Sequence, residues 1–414
     1  MLKRFELEAN GTTVSREFFG GLAAFLASFY IIIVNPSMLS LAGLPHSAIL
    51  TSTILIAAFS TILMGVYANN PILLAPGMGL NAFFTFTVVI GNKTEPEVAL
   101  GIVFWSGVLF LLLSVLKIRE KIISFIPTHL RYAISCGIGL FIAFIGFEKG
   151  SVIVDHPATL VQMGSLSPML LTFFGGLFLT GLLVSRNVKG SLILGILITL
   201  VLSIPMGRLW GDEVLIRWNG LMEYPDFSYF GKINFLDSFK FSLLPTIIAF
   251  MFTDMFDTIS TLIGVSHAGD LLDKTGQPRN LKKSLMVDAI ATMLSGIFGT
   301  SPTTSFIESA AGIQQGARTG LAAVFAGLLF LPFLFFAPLL SMFPVFTTAP
   351  ILVLVGLFMM IPITKIEWNK FEIALPSFLA IILIPLTFSI TQGMIVGLLC
   401  HYFLSFCVKV LNEK

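Results

Sequence analysis

Apolar segments long enough to cross a lipid bilayer recur along almost the whole chain, and this pattern constrains the fold more than any other feature. A helix needs about 20 residues to span roughly 30 Å of hydrocarbon. Twelve uninterrupted segments are close to that length, and they cover residues 18–40, 47–67, 98–116, 130–148, 168–185, 190–207, 243–266, 285–299, 320–341, 346–363, 373–390 and 392–410. Only 11% of the 414 residues are charged, against about a quarter in soluble domains. The sequence therefore predicts an all-α polytopic membrane protein embedded in a lipid bilayer.

Two further apolar segments, residues 71–90 and 301–315, are interrupted by Pro and Gly. Counting both gives fourteen transmembrane segments, and each interrupted segment is then third in its half of seven. Paired broken segments at corresponding positions are typical of inverted-repeat transporters with a substrate site at the bilayer midplane. The alternative is a pair of re-entrant loops with a purely structural role. We expect residues 1–207 to form the first repeat, 241–414 the second, and 208–240 an extracytoplasmic loop.

The distribution of Lys and Arg predicts the orientation in the membrane. If the N-terminus is cytoplasmic, 18 of the 24 basic residues fall on the inner side of the fourteen segments and 6 on the outer side. Cytoplasmic loops carry an excess of Lys and Arg. Both termini are therefore expected in the cytoplasm, with the protein in the cell (inner) membrane.

Four carboxylates lie inside apolar segments: Asp254, Asp257, Asp288 and Glu308. Charged groups are expensive in a membrane, so each is a candidate functional residue. Asp254 and Asp257 are three residues apart, which places them on one helix face, and Thr258 extends that polar face. This face is expected to look into protein or water and not into lipid.

Burial and a second carboxylate nearby both favour the protonated form of a carboxyl group. At least one of Asp254 and Glu308 is therefore expected to carry a proton near neutral pH, as a proton-coupled carrier requires. Asp257 is either a structural acceptor or a direct participant, and a structural or gating role is expected for Asp288. The hydroxyls of residues 303–305 are expected to bond backbone groups where this segment is extended.

The third segment contains Ala75-Pro76-Gly77-Met78-Gly79-Leu80-Asn81-Ala82-Phe83-Phe84. Its glycines permit a close backbone approach, Asn81 can donate and accept hydrogen bonds, and Phe83 and Phe84 offer aromatic faces. Together with the carboxylates, these groups suit a planar heterocycle that carries both N–H donors and ring acceptors.

Several motifs in order resemble the AzgA-like purine permeases, a branch of the nucleobase/ascorbate transporter superfamily (nucleobase:cation symporter-2). Besides the third-segment motif they are Val34-Asn35-Pro36, Asn70-Pro71, Met255-Phe256-Asp257-Thr258, Gly299-Thr300-Ser301, Glu308-Ser309-Ala310-Ala311-Gly312, Arg318-Thr319-Gly320 and Ile366-Glu367-Trp368. The resemblance covers nearly the whole chain.

The resemblance implies proton-coupled uptake of adenine, guanine or hypoxanthine by alternating access, with Na⁺ as the other candidate coupling ion and no cofactor. It implies a core domain of segments 1–4 and 8–11, a gate domain of segments 5–7 and 12–14, and a homodimer. It also implies short antiparallel strands in segments 3 and 10. The residues that match substrate-contacting or essential positions, or complete the site, are Asn81, Asp254, Glu308, Asp257, Gly79, Phe83 and Thr258.

Three positions depart from the family pattern: Ser260 and Ala317 replace Gly, and Phe306 replaces Tyr. Phe306 removes a hydroxyl near the site, so the choice among purines stays open. A uracil, xanthine or urate carrier of the same fold and a passive channel are alternatives.

Other function classes fit the sequence less well. No basic residue lies in the candidate site, which disfavours an anion. An intramembrane aspartyl protease is disfavoured because Asp254 and Asp257 share one helix. The net charge of +2, without a basic and aromatic run, gives no reason to expect nucleic acid binding. Three cysteines lack the spacing of metal ligands and are expected to pack in the core.

Overall fold

The computed structural model describes residues 2–115, 127–157, 159–188, 190–210, 220, 222–269, 271–273, 277–340 and 345–412. Part of the predicted loop at 208–240 lies outside these residues. The described residues are mostly helical, as predicted, and they include two pairs of short strands.

The described residues of the first half form eight α-helices: Val14–Ser28 (α1), Ile31–Leu39 (α2), His46–Leu63 (α3), Met78–Ala82 (α4), Pro96–Val115 (α5), Thr128–Lys149 (α6), Pro168–Ser185 (α7) and Ser191–Trp210 (α8). The strands are Leu74–Pro76 (β1), Ile153–His156 (β2) and Leu160–Met163 (β3). Wider π-helical turns extend α3 over Met64–Ala68 and α4 over Phe83–Gly91.

The described residues of the second half form the helices Leu244–Ala268 (α9), Leu281–Phe298 (α10), Ser309–Gln314 (α11), Gly320–Phe330 (α12), Ala337–Leu340 (α13), Val345–Met360 (α14), Phe371–Thr387 (α15) and Ile390–Asn412 (α16), with the strand Thr303–Ser305 (β4). Short 3₁₀ turns cover Leu2–Phe5, Ser40–Ala42, Asp237–Phe239, Phe241–Leu243, Leu331–Phe335 and Ile361–Lys365.

Eight of the described helical segments are long and apolar enough to cross a membrane. Shorter apolar helices of 10–17 residues occupy four further predicted segments, at Met78–Gly91, Ser191–Ile204, Gly320–Phe335 and Phe371–Thr387. The chain is therefore a multi-pass membrane protein, and the count of fourteen crossings stays a prediction.

The first predicted segment, residues 18–40, is not one regular helix. Helix α1 ends at Ser28 and α2 begins at Ile31, so Phe29 and Tyr30 lie between the two helices. Just before this break, Ser28 Oγ donates to the Ala24 carbonyl at 2.8 Å, a bond that often bends helices. The break fixes the position of Tyr30, which belongs to the site described below.

Strands β1 and β4 confirm the short antiparallel strands predicted for the two broken segments. They pair with each other, with Ala75 opposite Thr304, and all of their residues are buried. Each strand leads within a few residues into a short helix, α4 or α11. The two interrupted segments therefore meet at their extended parts, inside the protein, where non-helical backbone is tolerated at membrane depth.

A second antiparallel pair, β2 with β3, links α6 to α7 and was not predicted. Strand β3 is exposed along its whole length. It therefore has no buried face, and the alternation of apolar and polar residues that marks a half-buried strand is missing from its sequence.

The helices form two packed groups. In one, α6 packs against α14 and α15, α15 against α16, and α7 against α8. In the other, α10 packs against α5, α12 packs against α1 and α3, and β4 lies against α9 and α10. Contacts between the groups include those of α2 with α14 and of α4 with α6.

A pair of glycines allows α6 and α14 to cross closely. An added Cβ would lie 2.5 Å from the Gly356 carbonyl oxygen if it were placed at Gly139, and 2.4 Å from the Gly139 carbonyl oxygen if it were placed at Gly356. Small residues at such crossings are the usual means of helix association in membranes.

Glu17 is a fully buried carboxylate that caps α12 from α1. Its Oε1 accepts from the Arg318 backbone N–H at 2.8 Å, and its Oε2 accepts from those of Thr319 at 3.3 Å and Ala322 at 3.1 Å. The first N–H groups of a helix lack internal partners, and a helix N-terminus favours negative charge. This contact gives the Arg318-Thr319-Gly320 motif a structural role.

Candidate functional site

The extended backbone where the two broken segments meet is held by hydroxyls of the surrounding helices. The backbone N–H of Ser305 donates to Thr258 Oγ1 at 3.1 Å, and that of Leu74 donates to Thr61 Oγ1 at 3.0 Å. Thr292 Oγ1 lies 3.0 Å from the Thr303 carbonyl oxygen. Unpaired backbone groups are costly at membrane depth, so these helices stabilise the non-helical segment.

The prediction that the hydroxyls of residues 303–305 bond the backbone groups of this extended segment is wrong. Thr303 Oγ1 and Ser305 Oγ are buried with no hydrogen-bond partner among the described residues, and Thr304 Oγ1 bonds side chains. Strand residues direct their side chains away from the ladder, so the backbone groups are reached from neighbouring helices.

Helix α9 presents its polar face to β4, as predicted for protein-facing carboxylates. Asp254 Oδ2 accepts from Thr292 Oγ1 at 2.6 Å, and Asp257 Oδ2 accepts from Thr304 Oγ1 at 3.2 Å. Thr258 Oγ1 lies 2.9 Å from Thr304 Oγ1. Thr258 thus bonds both the side chain and the backbone of the strand region and positions it against α9.

Glu308 lies just after β4, and its main partner is Tyr30. The Tyr30 hydroxyl donates to Glu308 Oε1 at 2.7 Å, and the Tyr30 ring lies 6.4 Å from that of Phe306. Glu308 is also close enough to Asp257 for their charges to interact. The structure therefore brings Glu308 and the α9 carboxylates to one region, as predicted.

Asn81 joins the same region from the other broken segment. Ser301 Oγ donates to Asn81 Oδ1 at 2.6 Å, and Ser301 Oγ also lies 3.3 Å from Asn35 Oδ1. Asn35 Nδ2 donates to Thr53 Oγ1 at 2.7 Å and to Thr300 Oγ1 at 3.0 Å. This network gives the Val34-Asn35-Pro36 and Gly299-Thr300-Ser301 motifs a shared task, which is to orient the Asn81 amide.

Asp288 lies on α10 and is fully buried. It is close enough to Asp254 and Asp257 for the three charges to interact. Asp288 therefore adds a carboxylate from a second helix to the pair Asp254 and Asp257 on α9.

Gly79 and Phe83 lie at the edges of this region. An added Cβ at Gly79 would lie 2.7 Å from Ile138 Cγ2 on α6, so this glycine keeps α4 close to the other helix group. The Phe83 ring is fully buried and stacks on Phe250 of α9, with the ring centroids 4.3 Å apart. One face of Phe83 is therefore already covered by protein.

Tyr30, Thr292, Ser301 and Arg131 are the site neighbours that sequence reasoning missed. Tyr30 was read as part of an ordinary apolar span, although it is a polar residue near the middle of that span. Arg131 was counted only as an inner-side charge, yet its guanidinium carbon lies 5.4 Å from the centroid of the Phe256 ring. Helix α6 brings this cation beside Phe256 of α9, and the prediction that no basic residue lies in the candidate site stays a prediction.

Comparisons with known proteins agree with this architecture. The chain matches the model of a family described as "Permease family" over residues 15–411. It is 39% identical over 412 residues to the adenine permease AdeP of Escherichia coli (strain K12), covering 99% of this chain and 90% of AdeP. It is 39% identical over 411 residues to the guanine/hypoxanthine permease PbuG of Bacillus subtilis (strain 168), covering 96% of this chain and 92% of PbuG.

A solved structure shares the fold. The transmembrane domain of the cyanobacterial bicarbonate transporter BicA matches with a TM-score of 0.64 at 17% identity, covering 94% of this chain and 97% of that chain.

Proposed function

We propose that this chain, which belongs to the nucleobase/ascorbate transporter family of permeases, takes up purine nucleobases across the cell membrane. The observation that carries the proposal is the cluster of four acids, Asp254, Asp257, Asp288 and Glu308, and the Asn81 amide around the paired strands β1 and β4. Relatives that match along nearly their whole length are named as adenine and guanine/hypoxanthine permeases. Adenine, guanine and hypoxanthine are therefore the substrates to test.

The site chemistry fits a purine. Asp254 and Glu308 supply carboxylate oxygens that accept ring or exocyclic N–H groups, and the Asn81 amide can both donate and accept. Gly79 allows a close backbone approach, and Thr258 fixes the strand that carries these groups. Phe83 packs on Phe250 and is assigned to shaping the site.

A proton is the proposed coupling ion, with Na⁺ as the alternative. Asp254, Asp257 and Asp288 are close enough to repel one another when all are ionised, and a bound cation relieves this repulsion. The hydrogen-bond chain from Thr258 through Thr304 to Asp257 links the carboxylates to the strand of the broken segment. This link supports a coupling in which ion binding at the carboxylates affects substrate binding at the strand region.

Alternating access is the proposed mechanism. The group of α1–α5 and α9–α12 acts as the core, and the group of α6–α8 and α14–α16 acts as the gate. Support comes from the packing of helices within each group and from the position of the site on the core side, against α6 and α14. We also propose cytoplasmic termini, an inner-membrane location and a homodimer.

Uptake of radiolabelled adenine, guanine and hypoxanthine in a purine-transport-deficient strain tests the proposal. We expect accumulation of at least one of them above the external concentration, abolished by collapse of the proton gradient. Competition with uracil, xanthine and urate distinguishes a purine carrier of this kind from a uracil, xanthine or urate carrier of the same fold. A carrier that accumulates none of the three purines contradicts the proposal.

The variant Glu308→Gln tests the role of the carboxylate. It keeps the shape of the side chain but removes the charge and one acceptor oxygen, so we expect loss of accumulation with normal membrane insertion. Glu148→Gln is the matched control, because Glu148 is exposed outside the site. Uptake that an imposed pH gradient still drives in Glu308→Gln would remove Glu308 from the mechanism.

A further inference from the structure

Arg131 makes a contact between the two helix groups at the edge of the site. It lies in the first turn of α6, which packs against α14, α15 and α16. Its guanidinium carbon lies 5.4 Å from the centroid of the Phe256 ring on α9, which packs against α5 and β4. Any motion of α9 relative to α6 must therefore change this contact.

Among the described residues, the guanidinium contacts α9 through the aromatic ring of Phe256. Within its own helix, Arg131 Nη2 donates to Thr128 Oγ1 at 2.8 Å. Its Nε is buried and has no hydrogen-bond partner among the described residues. Phe256 stacks in turn on Phe252, with the ring planes 8° apart. A planar guanidinium suits such a stack, whereas the compact ammonium of Lys suits it less.

The contact lies beside a strip of exposed residues on α9. Asp257, the residue after Phe256, is half-buried, and exposed residues follow it along α9 at Ser260, Ile263 and Gly264. Ile307, the residue before Glu308, is also 60% exposed. In the predicted orientation this accessible strip leads to the cytoplasmic end of α9.

We propose that Arg131 is a latch that stabilises the conformation in which the site opens toward the cytoplasm. Its guanidinium joins gate helix α6 to core helix α9 in this state, and the contact breaks when the core moves to expose the site outside. Arg131 is thus a positioning residue for substrate release. This inference rests on the proposed nucleobase transport by alternating access.

Labelling of a cysteine on the accessible strip tests the latch without any substrate. Ser260→Cys is introduced after Cys136, Cys400 and Cys407 are replaced by Ala, and a membrane-impermeant maleimide is applied to inside-out vesicles. With Arg131→Gln added, we expect labelling several-fold slower, because the population leaves the inward-open state. With Arg131→Lys, the labelling rate should fall between those of the parent and Arg131→Gln. Arg186→Gln changes an exposed arginine and should label at the parent's rate.

A double variant shows whether Arg131 acts through Phe256. Phe256→Leu should slow labelling as Arg131→Gln does, and the two together should slow it no further. Net uptake should fall about tenfold in each. Unchanged labelling in Arg131→Gln, or additive effects in the double variant, overturn the latch. If the parent protein accumulates no purine but labelling still depends on Arg131, the proposed substrate is wrong and the latch stands.

Discussion

The partner of Glu308 decides how this carboxylate can lie at membrane depth. A charge in the membrane is expensive unless it is paired or hydrogen-bonded. Glu308 Oε1 accepts a hydrogen bond from the Tyr30 hydroxyl at 2.7 Å. Tyr30 is itself only 2% exposed. In the proposed site, the Tyr30 hydroxyl orients the carboxylate so that Glu308 can accept an N–H group of a bound base.

Removal of the Tyr30 hydroxyl should weaken substrate binding. A hydrogen bond to a charged group contributes about 1.5–3 kcal/mol, so we expect Tyr30→Phe to lower affinity for the transported base roughly tenfold. Saturation of uptake and equilibrium binding to purified protein measure the effect. Tyr67→Phe serves as the control, since Tyr67 is 40% exposed at the end of α3. Equal affinity in Tyr30→Phe and Tyr67→Phe would contradict this role.

The acids of the site were predictable, but their partners were not. Asp254, Asp257 and Glu308 are visible in the sequence because a charge inside an apolar segment is rare. Tyr30 and Ser301 bond residues more than 200 positions away, and no local pattern encodes such a pairing. The contact of Arg131 with Phe256 was not predictable for the same reason.

Helix positions were more predictable than the breaks between them. The apolar length rule located the described helices within a few residues, because every backbone group in lipid needs an internal partner. It could not show that the first segment breaks at Phe29 and Tyr30, since a break alters hydrogen bonds and not hydrophobicity. It also could not show that β1 and β4 pair with each other.

The cap that Glu17 provides for α12 should be measurable as stability. Each buried N–H that loses its acceptor costs about 1–3 kcal/mol, so Glu17→Ala, which exposes three such groups, should lower the melting temperature in detergent markedly. Glu17→Gln keeps one acceptor oxygen and should lower it less. Glu8→Gln is the control, because Glu8 is exposed. If Glu17→Ala melts like the control, Glu17 does not hold α12.

In the proposed alternating-access mechanism, the position of the site within the whole molecule links binding to movement. The carboxylates and Asn81 belong to the helix group of α1–α5 and α9–α12, whereas Ile138, Arg131 and Met359 approach from the other group. A substrate bound to one group can be exposed to either side when that group moves past the other. Direct coupling of this kind needs no change inside the site itself.

A reversible cross-link between α4 and α6 tests this movement. An added Cβ at Gly79 would lie 2.7 Å from Ile138 Cγ2, so cysteines at both positions fall near the Cβ–Cβ separation of disulfides, roughly 3.5–4.5 Å. In a background without Cys136, Cys400 and Cys407, oxidation of Gly79→Cys/Ile138→Cys should stop uptake, and a reductant should restore it.

The two single variants provide the control, because neither can form the cross-link, so oxidation should not change the uptake that each of them retains. Loss of free thiols reports how much protein is cross-linked, so uptake can be compared with the cross-linked fraction. If transport requires α4 to move against α6, uptake falls in proportion to that fraction. A fully cross-linked protein that still accumulates substrate would mean that α4 and α6 move together, and the boundary between the moving parts would have to lie elsewhere.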